Sequence, residues 1–153
     1  MSFSLNSYSQ GIESDGYARY TDWNIPSLAR KVFNDSGLYN KYEFTYHLNP
    51  FYLRGDFNGD SKPDIAILIK ETKTKKIGIL VIHSDSRHFF ILGAGSKIGN
   101  GGDDFRWLGV WTIRTNIEEK NQKGEGIYVE KPESAGGLIY WTGDQYVWRQ
   151  RGD

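Results

Sequence analysis

Gly55-Asp56-Phe57-Asn58-Gly59-Asp60-Ser61-Lys62-Pro63-Asp64-Ile65-Ala66-Ile67-Leu68-Ile69 is the stretch whose reading decides the fold. Its second part is an uninterrupted apolar run. Residues 77–82 repeat that character after the charged link Glu71-Thr72-Lys73-Thr74-Lys75-Lys76. Short runs that are apolar at consecutive positions have no face to offer to water, so they predict adjacent central strands of a sheet covered on both sides. The polar link between them suits a hairpin.

The first part of the stretch has a spacing that specifies chemistry. Asp56, Asn58, Asp60 and Asp64 put side-chain oxygens at loop positions one, three, five and nine, as in an oxygen cage for a hard cation such as Ca²⁺. Gly59 permits the sharp bend between them. Asp, Asn, Gly, Ser and Pro also make tight turns through side-chain to backbone hydrogen bonds. Position twelve, where a helix–loop–helix calcium loop has a bidentate Glu, is Ile67. Arg54 and Lys62 bring positive charge that would neutralise an empty loop. A Ca²⁺ site and a self-satisfied turn both fit these residues.

Working outward, residues 24–37 carry the one helical pattern. Asn24 or Asp22 can cap it, Pro26 fits the first turn, Leu28, Ala29, Val32 and Phe33 share a face, and Gly37 stops it. Residues 1–20, rich in Ser, Tyr and Gly without a period, read as an extended arm. Strand-like runs lie at 42–46, where a second short helix is the alternative, and at 65–70, 77–83, 88–92, 105–108, 111–113, 127–129, 138–141 and 146–148. The glycine-rich segment 93–102 breaks regular structure and reads as a long loop, mobile or shaped for a ligand. Residues 116–126 read as a charged linker. The expected fold class is α+β: a single domain over 1–153, with one N-terminal helix packed on an antiparallel meander of about six or seven strands across 42–153. The second face of the central strands is assigned to the arm or to curl of the sheet.

At 153 residues the chain buries roughly 68–70% of its unfolded surface, enough for a core without staples. Its 38% hydrophobic and 15% aromatic content (ten Tyr, eight Phe, five Trp) marks a globular domain with broad sheet faces or a contact surface. Nineteen basic and nineteen acidic residues cancel, so the basic footprint of a nucleic-acid or anionic-membrane binder is missing. With no cysteine, disulfides and thiolate metal sites are excluded. Residues 1–16 have neither the basic start nor the apolar stretch of a signal peptide, and no run approaches the ~18 residues that span a bilayer. The chain reads as cytoplasmic; an exported chain with its signal removed would read the same way.

Residues 55–66 resemble the FG-GAP or VCBS type of repeat, in which G-D-F-N-G-D-x-x-P-D-[IL]-A precedes a β-strand. The resemblance implies Ca²⁺ at Asp56, Asn58, Asp60 and Asp64. Such repeats recur as propeller blades, but no second copy is present here. Gly143-Asp144-Gln145 and Gly152-Asp153 are the nearest echoes, and a propeller is not expected. Asn49-Pro50-Phe51-Tyr52-Leu53, Leu92-Gly93-Ala94-Gly95, Glu130-Lys131-Pro132-Glu133-Ser134 and Ile139-Tyr140-Trp141 are similar to small bacterial single-domain proteins carrying one such loop, a group mostly without assigned activity.

Gly93-Ala94-Gly95-Ser96-Lys97-Ile98-Gly99 has its third glycine one residue late for a dinucleotide fingerprint, is followed by glycines where a helix should begin, and lacks a Walker ending. His83, Asp85 and His88 form the best enzyme-like cluster, at a hairpin end where polar residues are also expected as turn formers. Asp103-Asp104 offers paired carboxylates or a cap. Arg-Gly-Asp occurs at 54–56 and 151–153, with Asp56 already claimed by the acidic loop. The leading expectation is a non-enzymatic protein-binding domain with a Ca²⁺ loop, in one form an immunity protein or inhibitor of a bacterial toxin. Its alternatives are a small cation-dependent hydrolase using His83/Asp85/His88 or Asp103/Asp104, and a structural calcium module.

Overall fold

The computed structural model describes residues 23–152. The arm expected at 1–20 lies outside the described residues. Helix α1 spans Ser27–Asp35; Pro26, not the expected Asn24, occupies its N-cap position and supplies no side-chain cap, and the alternative cap Asp22 lies outside the described residues. The helix buries Ala29, Val32 and Phe33, and Gly37 follows its end at φ 66°, a left-handed conformation that glycine adopts without steric cost.

Nine strands follow: β1 Tyr42–Phe44, β2 Tyr52–Gly55, β3 Asp64–Glu71, β4 Ile77–Ile82, β5 Phe89–Gly93, β6 Val110–Arg114, β7 Lys123–Glu130, β8 Gly136–Trp141 and β9 Tyr146–Arg151. They form two antiparallel sheets. In the first, β3 and β4 are central and pair from Ile65↔Ile82 to Lys70↔Ile77, with β5 beyond β4. β1 and β2 share the other side of β3: β2 pairs with residues from Asp64 to Ile67, and β1 with Ile69, Lys70 and Glu71. Thr45 N donates to Leu68 O (3.1 Å) and Leu68 N to Phe51 O (3.2 Å), closing the ladder between them. The second sheet runs β6-β7-β8-β9.

Period-two alternation sorts the central strands between two cores. Ile65, Ile67 and Ile69 of β3, with Leu80 and Ile82 of β4, pack with Ala29, Val32 and Phe33 of α1. Ala66, Leu68, Ile79 and Val81 point the other way, against Ile127, Val129, Ile139 and Tyr146 of the second sheet. The molecule is thus α+β in three layers: helix, sheet, sheet. The sheet-two face of β3 and β4 is covered by a whole second sheet, where the sequence suggested the arm or curl.

Two segments depart from their expected roles. Residues 105–108 form a turn in which Leu108 N donates to Phe105 O (2.9 Å), and Phe105 is fully buried as a plug. The expected linker at 116–126 enters β7 by residue 123, and the part before it is tied down. Buried Gln122 accepts from the N–H groups of Glu118 and Glu119 and donates to Gly124 O. Asn121 accepts from Tyr140 Oη (3.1 Å), and Glu118 and Glu119 pair with Arg151. No helix among the described residues is long and apolar enough to cross a membrane.

Candidate functional site

The acidic loop is the connection between β2 and β3, with Gly55 paired to Asp64 across its neck. Its polar side chains fold back onto its own backbone. Asp56 Oδ1 accepts from Gly59 N (2.7 Å) and Asp60 N (2.9 Å), and its Oδ2 from Ser61 N (2.9 Å). Asn58 Oδ1 accepts from Asp60 N (3.0 Å). Asp60 accepts from Lys62 N (2.8 Å) and from Asn58 Nδ2 (3.3 Å). Asp64 is fully buried: Oδ2 accepts from Phe57 N (3.0 Å) and Asn58 N (3.2 Å), Oδ1 from Ser84 N (2.8 Å). Fully buried Phe57 anchors the loop in the core between the sheets.

Two participants come from far along the chain. Asp56 N donates to Glu125 Oε2 (2.8 Å) and Glu125 N donates to Asp56 O (2.6 Å). Beside Glu125, Gly124 sits at φ 70° directly against the loop backbone, where any Cβ would collide with Asp56 O. The register of β7 on β8 shifts between Lys123 and Ile127, the bulge that lets the start of β7 reach over. Only the Gly-Glu-Gly at 124–126, inside a segment read as linker, hints at this from the sequence.

In kind, these oxygens suit a hard cation. Asp56 Oδ2, Asn58 Oδ1, both Asp60 oxygens and Asp64 Oδ1 each accept one hydrogen bond and keep a lone pair. In placement they are spread along the turn: among the described residues no three His, Cys, Asp or Glu gather closely enough to hold a metal. Neither Arg54 nor Lys62 forms an ion pair with a described loop carboxylate. Burial pushes the Asp64 carboxyl up to about 6, against its three backbone hydrogen bonds and assisted by the charge on Asp60.

The histidine cluster does not assemble. His83 turns into the core, where its Nε2 and Tyr146 Oη lie 2.8 Å apart and Phe90, Trp141 and Tyr146 box the ring at 4.9–5.8 Å. Burial lowers its pKa, with Asp85 and Asp60 opposing. Asp85 and His88 are exposed on the turn, which is closed by backbone bonds between His83 and both His88 and Arg87. Asp103 pairs with Lys76, and Asp104 accepts from Ile77 N (3.2 Å) and binds Arg106 Nε (2.6 Å). Asp104 thus braces the start of β4, while Asp64 braces Ser84 past its end, roughly 20 Å away at about 3.4 Å per residue. The acidic loop and His83 share one end of the sandwich, and Asp103-Asp104 lies at the other.

The glycine-rich segment is a clamp. Gly93 and Ser96 exchange backbone hydrogen bonds (2.8 Å each), Ile98 is buried, and the 3-10 turn Gly99–Gly101 lies on Trp148 so closely that Cβ atoms on Gly99 and Gly101 would come within 2.9 and 2.6 Å of it. Gly137 of β8 meets the same indole, so glycines on both segments make room for one large ring. Trp107 stands edge-on to Trp148 at 6.1 Å. No family model, no curated protein and no solved structure matches this chain.

Proposed function

We propose that this chain is a non-enzymatic protein-binding domain, in its most specific form an inhibitor of the immunity type that occupies the surface of a bacterial toxin. The observation that carries this reading is the use made of the reactive side chains. His83, Asp64 and Asp104 each hold framework atoms: a buried phenol, three loop N–H groups and the first residue of a strand. A hydrolase needs such groups converging on a substrate atom, whereas a binder needs a rigid surface with large aromatic anchors. The test is capture of a partner from native lysate, with and without Ca²⁺, followed by reconstitution from purified components. A stoichiometric complex whose affinity survives His88→Ala and Asp103→Asn supports the reading. A turnover activity that these variants lose, in a protein that still folds, would replace it with the hydrolase.

The acidic loop favours a second reading alongside the first, a Ca²⁺ site held by Asp56, Asn58, Asp60 and Asp64, in keeping with the resemblance to FG-GAP loops. Its support is the run of unpaired lone pairs and the lack of a compensating Lys or Arg among the described residues. A cation bound only by the folded protein stabilises it by RT ln(1 + [L]/Kd). Millimolar Ca²⁺ should therefore raise the melting temperature and chelation should lower it, with Mg²⁺ less effective because it gives up its waters reluctantly. Asp60→Asn should blunt the response. A melting curve indifferent to Ca²⁺ would leave the loop as a turn and nothing more.

A further inference from the structure

We propose that the partner docks on the open edge of β9, adding an extended acidic segment as a fifth strand of the second sheet. This rests on the protein-binding reading above and specifies where and how binding occurs. Among the described residues β9 has a strand neighbour on one side only. Thr142 N donates to Gln145 O across the turn, and the register pairs Tyr140 with Val147 and Leu138 with Arg149. In an antiparallel ladder residues alternate between facing the partner strand and facing away, so Val147, Arg149 and Arg151 direct their backbone groups to β8. The N–H and C=O of Trp148 and Gln150 then point outward, and no backbone bond from a described residue meets them.

A groove of about 370 Å³ runs along this edge, between Trp148-Arg149-Gln150-Arg151 on one side and Gly99 and Asn100 on the other. Successive residues of a strand point to opposite faces, so four in a row can line a groove only where it follows the strand's edge. Adjoining it is a depression of about 140 Å³ between Trp107, Trp148, Lys131 and Ser134, placed to take a side chain from the added strand. This is the arrangement used in strand addition, with backbone bonds giving affinity and alternate side chains giving specificity.

Charge selects the occupant. No carboxylate among the described residues lines either depression. Arg151 is held by Glu118 and Glu119, but Arg149 reaches Glu119 only at 3.6 Å and Lys131 forms no ion pair with a described residue. One available cation therefore lies on each side of the edge, ready for acidic side chains of alternating direction. Pairing β9 with β9 of a second copy would instead set arginines against one another, and like charges directly opposite are destabilising.

The probe is a labelled ten-residue peptide in which pairs of adjacent aspartate or glutamate residues alternate with pairs of valine or threonine, so that acids point to both faces of the added strand, and its lysine counterpart as control. The acidic peptide should bind, the lysine peptide should bind at least tenfold more weakly, and hydrogen exchange should slow at the Trp148 and Gln150 amides on binding. Gln150→Pro removes an outward N–H that the fold does not use, as an edge position tolerates, and should weaken binding at least tenfold. Arg149→Glu, a surface change that leaves the backbone intact, should do the same. Failure of the acidic peptide to bind, equal binding of both peptides, or binding without protection of those two amides overturns the edge assignment. The parent reading stands or falls separately, on capture of a partner: a captured protein bound equally by wild type, Gln150→Pro and Arg149→Glu would keep that reading and remove this one.

Discussion

Asp64 and His83 sit at the same end of the sandwich and respond to pH in opposite senses. Burial raises Asp64 from 3.8 to about 6. The folded protein then holds that proton more tightly than the unfolded chain, so stability falls as pH rises from about 4 through about 6. Burial lowers His83 below 6.5, so the folded state resists that proton and stability falls as pH drops below about 6.5. In chelator the two groups should therefore tilt the melting-temperature profile between pH 4.5 and 6.5 in opposite senses. His83→Gln should expose a loss of stability with rising pH, and Asp64→Asn a loss with falling pH; two parallel curves would refute the assignment. Ca²⁺, which favours the ionised carboxylate, should flatten the His83→Gln curve. The acidic residues of this site were legible because their spacing is local. Glu125, 69 residues from Asp56, and the inward turn of His83 were not, since both depend on which sheet lies opposite.

Among the elements, β3 and β4 were the most readable, because continuous apolarity over five or six residues has few outlets. Leu68 is fully buried between the sheets, and Leu68→Ala should cost about 2–5 kcal/mol in chemical denaturation. A loss below about 0.5 kcal/mol would place it at the surface. The glycine-rich segment was the least readable. Its composition forbids regular structure, and the same composition serves a ligand loop or close packing against a ring; the indole it packs on lies some fifty residues downstream. Gly137→Ala should test the clamp from the sheet side. The added methyl runs into the Trp148 ring, and overpacking of this kind costs about 1–3 kcal/mol. Trp148→Leu in the same chain should recover much of that loss, and a purely additive pair would show that ring and glycine do not meet.

For the whole molecule, the sequence led to one helix and an antiparallel meander, and the meander divides. Alternating strands look alike whether they extend one sheet or begin another, so the division after Gly93 is not encoded in periodicity. It is encoded in the crossing at 94–109, where buried Phe105 and Leu108 fill the space between the sheets and the strand pairing restarts with β6.

The clasp between Asp56 and Glu125 belongs to neither sheet alone. It joins a hairpin of the first to the opening residues of the second, so it can hold the halves together when the covalent link between them is gone. A protease site inserted after exposed Lys97 should yield two pieces that still travel as one on a sizing column, and that part more slowly when calcium occupies the loop. Gly124→Ala, which forces a methyl against Asp56 O, should weaken the association of the cut pieces, leaving the apolar core between the sheets to hold them. In that sense the acidic loop is a fastener, setting the alignment of two pieces that the core between the sheets brings together.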